Sequence, residues 1–154
     1  MRRFELATDS GGAGRWRGGL GTRMEVIAPM DGFAYCTFDR AKFPPWGLYG
    51  GKDGSAGYGQ IEKPDQPVKT VNKAYEPIPK GTLVRAVNNG GGGWGDPLQR
   101  DPERVRMDVI DGYIEYESAR RDFGVVLDAK THAVDMAGTL ALRERLKAES
   151  GVKL

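Results

Sequence analysis

Hydrophobic and polar residues alternate in short runs through the first half of the chain. Phe4 and Leu6 flank Glu5, Met24 and Val26 flank Glu25, Phe33, Tyr35 and Thr37 stand two apart, and Leu83, Arg85 and Val87 repeat the period. A period of two puts successive side chains on opposite faces of an extended strand, so residues 4 to about 87 read as β-rich. Pro29-Met30-Asp31-Gly32 and Pro79-Lys80-Gly81 supply tight turns between such runs. Residues 60 to 80 carry Pro64, Pro67, Pro77 and Pro79, which predicts an irregular or edge path with one short strand near Val68 to Val71.

After Asp96-Pro97 the period lengthens to that of a helix. Asp101 is placed to cap, Pro102 fits the first helical position and Glu103 the first turn; Val105, Val109 and Ile110 share a face, and Gly112 stops the run. A second helix is predicted from about Glu115 to Phe123, ended by Gly124, and Val125 to Leu127 follow as a short strand or extended connection. The last helix is predicted to start at Asp135, to present Met136, Leu140, Leu142 and Leu146, and to end near Gly151. The expected class is α+β: a glycine-containing β-rich part over about 4–87 and a C-terminal part with about three helices. Residues 1–154 are expected to form one unit, β-rich over 1–98 and helical over 99–154.

Glycine changes this picture. It accounts for 23 of 154 residues, about twice the usual share of roughly 7%. Two dense blocks stand out: Asp9-Ser10-Gly11-Gly12-Ala13-Gly14-Arg15-Trp16-Arg17-Gly18-Gly19-Leu20-Gly21 and Gly90-Gly91-Gly92-Gly93-Trp94-Gly95-Asp96-Pro97. A flexible linker carries no tryptophan or arginine, so these blocks predict backbone packed closely against something specific. Neither the P-loop spacing nor a dinucleotide fingerprint is present, which favours close packing over a phosphate cradle. The second block reads as a strand-to-helix crossing with Trp94 as its plug. Between the blocks, Phe43-Pro44-Pro45-Trp46-Gly47-Leu48-Tyr49-Gly50-Gly51-Lys52-Asp53-Gly54 has prolines and aromatics without a regular period, and predicts an ordered loop with anchors.

Charge and reactive residues narrow the function further. The net charge is +2 with neither sign in a long run, which argues against a non-specific nucleic-acid binder. A single cysteine and a single histidine exclude an internal disulfide and make a Cys/His zinc site improbable. Cys36 is expected to be a small core residue and His132 a surface residue. Asp101 reads as a cap, Asp108, Asp111 and Asp122 as solvated helix residues, and Arg120-Arg121-Asp122 as a surface ion-pair run. With no long apolar run and no apolar stretch after Met1, a location in the cytoplasm and no membrane contact are expected.

The two glycine blocks, Phe-Pro-Pro-Trp-Gly-Leu-Tyr-Gly-Gly (43 to 51), Arg-Asp-Pro-Glu-Arg-Val (100 to 105) and Ala-Arg-Arg-Asp-Phe-Gly-Val-Val-Leu-Asp (119 to 128) occur in an order that resembles the C-terminal end of the hydantoinase B/oxoprolinase family. The resemblance covers roughly residues 4 to 146. It implies ATP-dependent chemistry on a carbonyl, in which phosphorylation of an enol or amide oxygen activates it for carboxylation or ring opening. Family members are much longer, and their metal-binding histidines and acids are expected in a part this chain lacks. The implied partners are a hydantoinase B-like large subunit and a hydantoinase A-type ATPase subunit, with ATP and a divalent metal held on those other chains and none bound here. No catalytic or metal-ligating residue carries over; Arg15, Trp16, Arg17, Phe43, Trp46, Lys52 and Trp94 are the positions expected to line an interface or the wall of a site. The expectation is a small subunit of an ATP-dependent carboxylase, of the acetophenone type first, or of a cyclic-amide hydrolase. The alternative is an interaction module that never touches substrate.

Overall fold

The computed structural model describes residues 1–150, and its strands precede its helices, giving the expected α+β class. The strands are β1 (Arg3–Leu6), β2 (Thr22–Ile27), β3 (Gly32–Thr37), β4 (Tyr58–Glu62), β5 (Lys69–Val71), β6 (Lys73–Ile78) and β7 (Leu83–Val87). The helices are α1 (Pro102–Ile110), α2 (Tyr116–Phe123) and α3 (Met136–Ser150). Five strands form an antiparallel sheet in the order β1-β2-β7-β4-β5, while β3 and β6 form a two-stranded ribbon. In the proline-rich stretch, read as an irregular or edge path with one short strand near Val68 to Val71, that strand is β5 at the edge of the sheet; the end of β4 and all of β6 are further strands there. Proline survives there because Pro77 sits opposite Phe33 in a ribbon of two strands, where no third strand needs its missing N–H.

Register fixes which side chains share a face. Phe4, Met24, Ala86, Gly59 and Val71 lie opposite one another across the five strands, and Val26, Val84 and Ile61 form the neighbouring row. At the β4–β5 end this face is covered by the ribbon, which contributes Ala34, Cys36 and Ile78 to a core with Ala28, Ile61 and Val71. Cys36 is buried as its alternating pattern predicted, and burial, then the nearby Glu76 carboxylate, pushes its thiol pKa up, leaving it a packing residue. A second core lies among the helices, where Val105, Ile114, Ala119, Phe123, Val125 and Leu127 close around Ala13.

Between these two apolar cores lies a region built from backbone. Residues of the 10–21, 45–55 and 89–95 segments hydrogen-bond to one another: Gly12 N–H donates to Gly91 O at 2.8 Å, Gly91 N–H to Gly19 O at 2.9 Å, Gly93 N–H to Lys52 O at 2.9 Å and Lys52 N–H to Ala13 O at 2.7 Å. The approach leaves no room for a side chain. A Cβ on Gly93 would stand 2.1 Å from the Ala13 carbonyl oxygen, and one on Gly92 would stand 2.0 Å from that of Trp46. The glycine blocks are thus a backbone lattice that joins sheet to helices, and glycine is the only residue type that fits these positions.

The helix signals hold in detail. Asp101 accepts from the Glu103 N–H at 2.9 Å, Pro102 opens α1, and Gly112 (φ 71°) and Gly124 (φ 60°) take left-handed conformations after α1 and α2. Val125 to Leu127 are an extended connection that forms one bridge, Leu127 with Val134. In α3 Leu142 is buried and Leu146 partly buried as expected, whereas Met136 and Leu140 are exposed; Thr139 is buried in their place and Arg143 spans to two carbonyls. The predicted end near Gly151 lies outside the described residues.

Two alanine substitutions separate a lattice glycine from an incidental one. Gly93→Ala is expected to cost roughly 3 kcal/mol or more, because its methyl group meets backbone that cannot yield. Gly19→Ala, with nothing within 4 Å of its Cβ, is expected to change stability by less than about 1 kcal/mol and in the stabilising direction, by restricting the unfolded chain. Urea unfolding of the two variants beside the parent checks both; equal effects would remove the lattice as the reason for the glycines.

Candidate functional site

The lattice holds its flanking side chains in rows on the surface. Trp16 and Trp94 exchange backbone hydrogen bonds in both directions, at 3.0 and 2.9 Å, so their side chains leave on the same side. Leu48 is bridged to Trp94 from the other flank, its N–H donating to Gly93 O and its carbonyl accepting from Gly95 N–H, both at 2.9 Å. The Tyr49 ring meets Trp94 edge-on with centroids 5.5 Å apart. Trp16 is 51% exposed and Trp94 45%, and Leu48 and Tyr49 are also open to solvent. Trp94 is therefore not the expected plug: the crossing is sealed by glycine backbone, and the indole faces outward. Four large apolar side chains on a rigid frame make a patch of the kind that marks a contact surface.

Helix α1 supplies the charged border. The Arg104 guanidinium lies over the Trp16 ring, 5.3 Å from its centroid, an attraction of cation and ring face. Beneath, Asp108 is buried and accepts from Arg100 Nη2 at 2.9 Å, while Arg17 Nε stands 3.4 Å from the same oxygen. Arg100 also donates to the Arg15 carbonyl at 3.2 Å, and Arg17 donates to the Gly18 carbonyl and lies over Tyr113. The sequence predicts a solvated Asp108. It is instead the single anion between two largely buried guanidiniums, because the face of α1 that carries Val105 turns toward the lattice.

Asp122 keeps the expected ion pair with Arg121 but is not a solvated helix residue. It accepts from Lys52 Nζ at 2.8 Å and from Arg121, pinning the middle lattice segment to α2. Burial works against its charged form, but the hydrogen bonds from Arg121 and Lys52 outweigh it and hold the carboxyl below the ordinary aspartate value. From the first glycine block, Asp9 accepts from the Glu115 N–H at 3.2 Å and from the Ser118 hydroxyl at 2.7 Å, capping α2 where Glu115 makes no side-chain cap of its own.

Of the seven positions singled out in the sequence, Trp16 and Trp94 come together in the patch, with Arg15 exposed beside them. Phe43 and Trp46 are exposed further along the loop, each with its own cation, Lys42 at 5.6 Å and Arg40 at 4.7 Å from the ring centroids. Arg17 and Lys52 turn toward α1 and α2. Leu48, Tyr49 and Arg104 carry no signal of their own in the sequence; Leu48 and Tyr49 lie within the aromatic loop motif, but only the fold shows that they flank Trp94. His132, expected on the surface, is half-buried with its ring edge-on to Tyr116. Among the described residues no three His, Cys, Asp or Glu side chains gather as a metal-holding group, and no helix is long and apolar enough to cross a membrane.

Comparison with known proteins places this geometry. The sequence model of the hydantoinase B/oxoprolinase family matches residues 1–97. A putative D-/L-hydantoinase chain of the B type from Pseudomonas sp. (strain NS671) is 34% identical over 150 residues, 94% of this chain and 25% of that protein. The crystal structure of the ATP-dependent caprolactamase from Pseudomonas jessenii superposes with a TM-score of 0.78 at 31% identity, over 93% of this chain and 26% of that one. A nucleotide-free acetone carboxylase structure shares the fold with a TM-score of 0.82 at 23% identity, over 98% of this chain and 25% of that one. The chain spans about a quarter of the length of the curated relatives it matches.

Two measurements test the ionic ties. Asp108→Asn leaves Arg17 and Arg100 facing each other without an anion, and is expected to cost about 3 kcal/mol or more in urea unfolding, since stripping one partner from a buried pair strands the remaining charge. A carboxylate with a depressed folded pKa contributes stability above its unfolded value, and this is lost as pH falls through the folded value. Lys52→Ala removes one of the bonds that depress Asp122, so its carboxyl titration, followed by NMR, is expected to move up, and the stability lost on the acid side to become smaller and to be complete at a higher pH.

Proposed function

Because the chain belongs to the hydantoinase B/oxoprolinase family, we propose that it is a small subunit that completes a hydantoinase B-like large chain within an ATP-dependent enzyme acting on a carbonyl. The observation that carries this reading is the exposed row Trp16, Trp94, Leu48 and Tyr49, fixed to a lattice with no freedom to fold it away, on a chain equivalent to a quarter of its relatives. Aromatic side chains held without loss of rotamer freedom are well suited to be interface anchors. The reaction we favour is opening of a cyclic amide, because the relatives that match over more than nine-tenths of the chain at 34% identity are a hydantoinase chain and a caprolactamase chain. ATP and a divalent metal are assigned to the other chains, a hydantoinase A-type ATPase subunit among them, and the complex to the cytoplasm.

A carboxylase of the acetophenone type is the second reading. It is favoured by the similarity, 34% over 85 residues, to the acetophenone carboxylase delta subunit of Aromatoleum aromaticum (strain EbN1). Turnover of the reconstituted complex on a cyclic amide against a ketone with bicarbonate separates the two.

Assembly is tested by co-expression of the full chain with a tagged hydantoinase B-like large chain from the same source. The parent is expected to copurify, and Trp16→Ala combined with Trp94→Ala to lower its affinity by about a hundredfold, as two truncated anchors would. Trp46→Ala then separates two roles. Loss of turnover with the complex intact places Trp46 at a site wall, whereas loss of assembly makes the chain an interaction module; a parent chain that stays monomeric beside the large chain would sink the subunit reading.

A further inference from the structure

Among the described residues, the five-stranded sheet protects one of its edges and leaves the other bare. At one end β5 is three residues long, follows Pro67 and carries Lys69, which pairs with Glu76 of the ribbon. Short length, proline and lysine are the usual means of keeping a foreign strand from adding to a sheet. At the other end β1 has no proline. Ala7 N–H donates to Gly21 O, and counting back by alternation turns the N–H and carbonyl of Leu6 and Phe4 away from β2, toward the open edge.

The side chains on that edge repeat the contrast. Phe4, Leu6 and Met24 lie on the sheet face that the ribbon covers at its β4–β5 end, where Ile61 is 1% and Val71 7% exposed. At the β1 end no ribbon reaches: Phe4 is 63% and Leu6 52% exposed. The charges of β1 are on the opposite face, where Glu5 meets Arg3 at 3.5 Å and Arg23 at 3.4 Å. A free strand edge thus coincides with the uncovered half of an otherwise buried apolar face.

We infer that β1 is a strand-addition site for the hydantoinase B-like large chain, which supplies an extended apolar segment that pairs with the Phe4 and Leu6 backbone and covers Phe4, Leu6 and Met24. The inference rests on the subunit reading and adds to it a second contact surface, separate from the tryptophan patch. The occupant follows from length. The relatives carry this fold within chains about four times as long, and β1 and β2 lie inside the family match over residues 1–97. Main-chain pairing gives such a joint its affinity, and alternate side chains give it register.

The test uses the full chain and the tagged large chain. In the complex, amide hydrogen exchange at Phe4 and Leu6 is expected to slow by at least about a hundredfold relative to the free chain, as for amides newly bonded in a ladder. Phe4→Pro removes an outward N–H that β2 does not use, and Leu6→Glu puts a charge on the uncovered face; each is expected to weaken capture by about tenfold or more. If the parent copurifies but its Phe4 and Leu6 amides exchange as in the free chain, the strand-addition site is wrong and the subunit reading stands. If the parent does not copurify, both fall. If the same amides are protected in the isolated chain at high concentration, with a doubled mass in solution, β1 pairs with a second copy and the assigned occupant is overturned.

Discussion

Backbone pressed against backbone is the constraint on which the rest of this molecule depends. Three segments far apart in sequence approach so closely that a single added methyl group at Gly92 or Gly93 would lie 2.0 to 2.1 Å from a carbonyl oxygen. Such contact is stabilised by hydrogen bonds and dispersion with almost no burial of apolar side chains. It also fixes the segments rigidly, because a lattice of mutually bonded strands of chain has few alternative registers when each rung is set by a neighbour on two sides. Sheet and helices are positioned relative to one another through this lattice: the sheet enters it at Gly21 and Asn88, and the helices leave it after Gly95.

The lattice alone does not hold the helices, and the ionic ties show where the remainder comes from. Asp9 caps α2 from the first block, Lys52 reaches Asp122 of α2 from the middle segment, and Arg17 and Arg100 share Asp108 of α1. Two of the three lattice segments thus send side chains across to the helices. The Lys52–Asp122 pair, whose lysine is half exposed, contributes little by itself. The Asp108 cluster is different, because its charges are largely withdrawn from water and two cations depend on one anion. Its value lies in specificity: only one placement of α1 against the first block gives both guanidiniums a counter-charge.

Local signals are legible in the sequence and long-range ones are not. Alternation locates β1, β2, β3 and β7, and cap chemistry locates α1 and α2, because a strand period or an Asp-Pro-Glu start is a property of neighbouring residues. Prolines over 60 to 80 point rightly to edge positions and to the short strand β5, but they hide β6, since a two-stranded ribbon tolerates what a central strand rejects. Asp108 and Asp122 depart from expectation for a related reason. A helix carboxylate looks solvated until a cation from 70 residues or more away arrives, as Lys52 does for Asp122 and Arg17 for Asp108. Of the candidate site, Trp16 and Trp94 are conspicuous because tryptophan among glycines is rare. That they stand side by side, with Leu48 and Tyr49 as neighbours, depends on the lattice register, which no periodicity encodes.

A glycine lattice is a poor way to stabilise an isolated chain and a good way to build a docking frame. Each glycine loses more backbone freedom on folding than any other residue, and returns no apolar burial. A unit whose two apolar cores are joined by such a lattice, while Trp16, Trp94, Phe4 and Leu6 stay open to water, gives up hydrophobic stabilisation at about 25 cal/mol for every Å² left uncovered. The balance turns favourable when another surface covers those side chains, because a rigid frame has no ordering left to lose on association. The glycines and the exposed aromatics are thus two sides of one arrangement: the first removes flexibility in advance, and the second keeps the apolar area that makes association worthwhile.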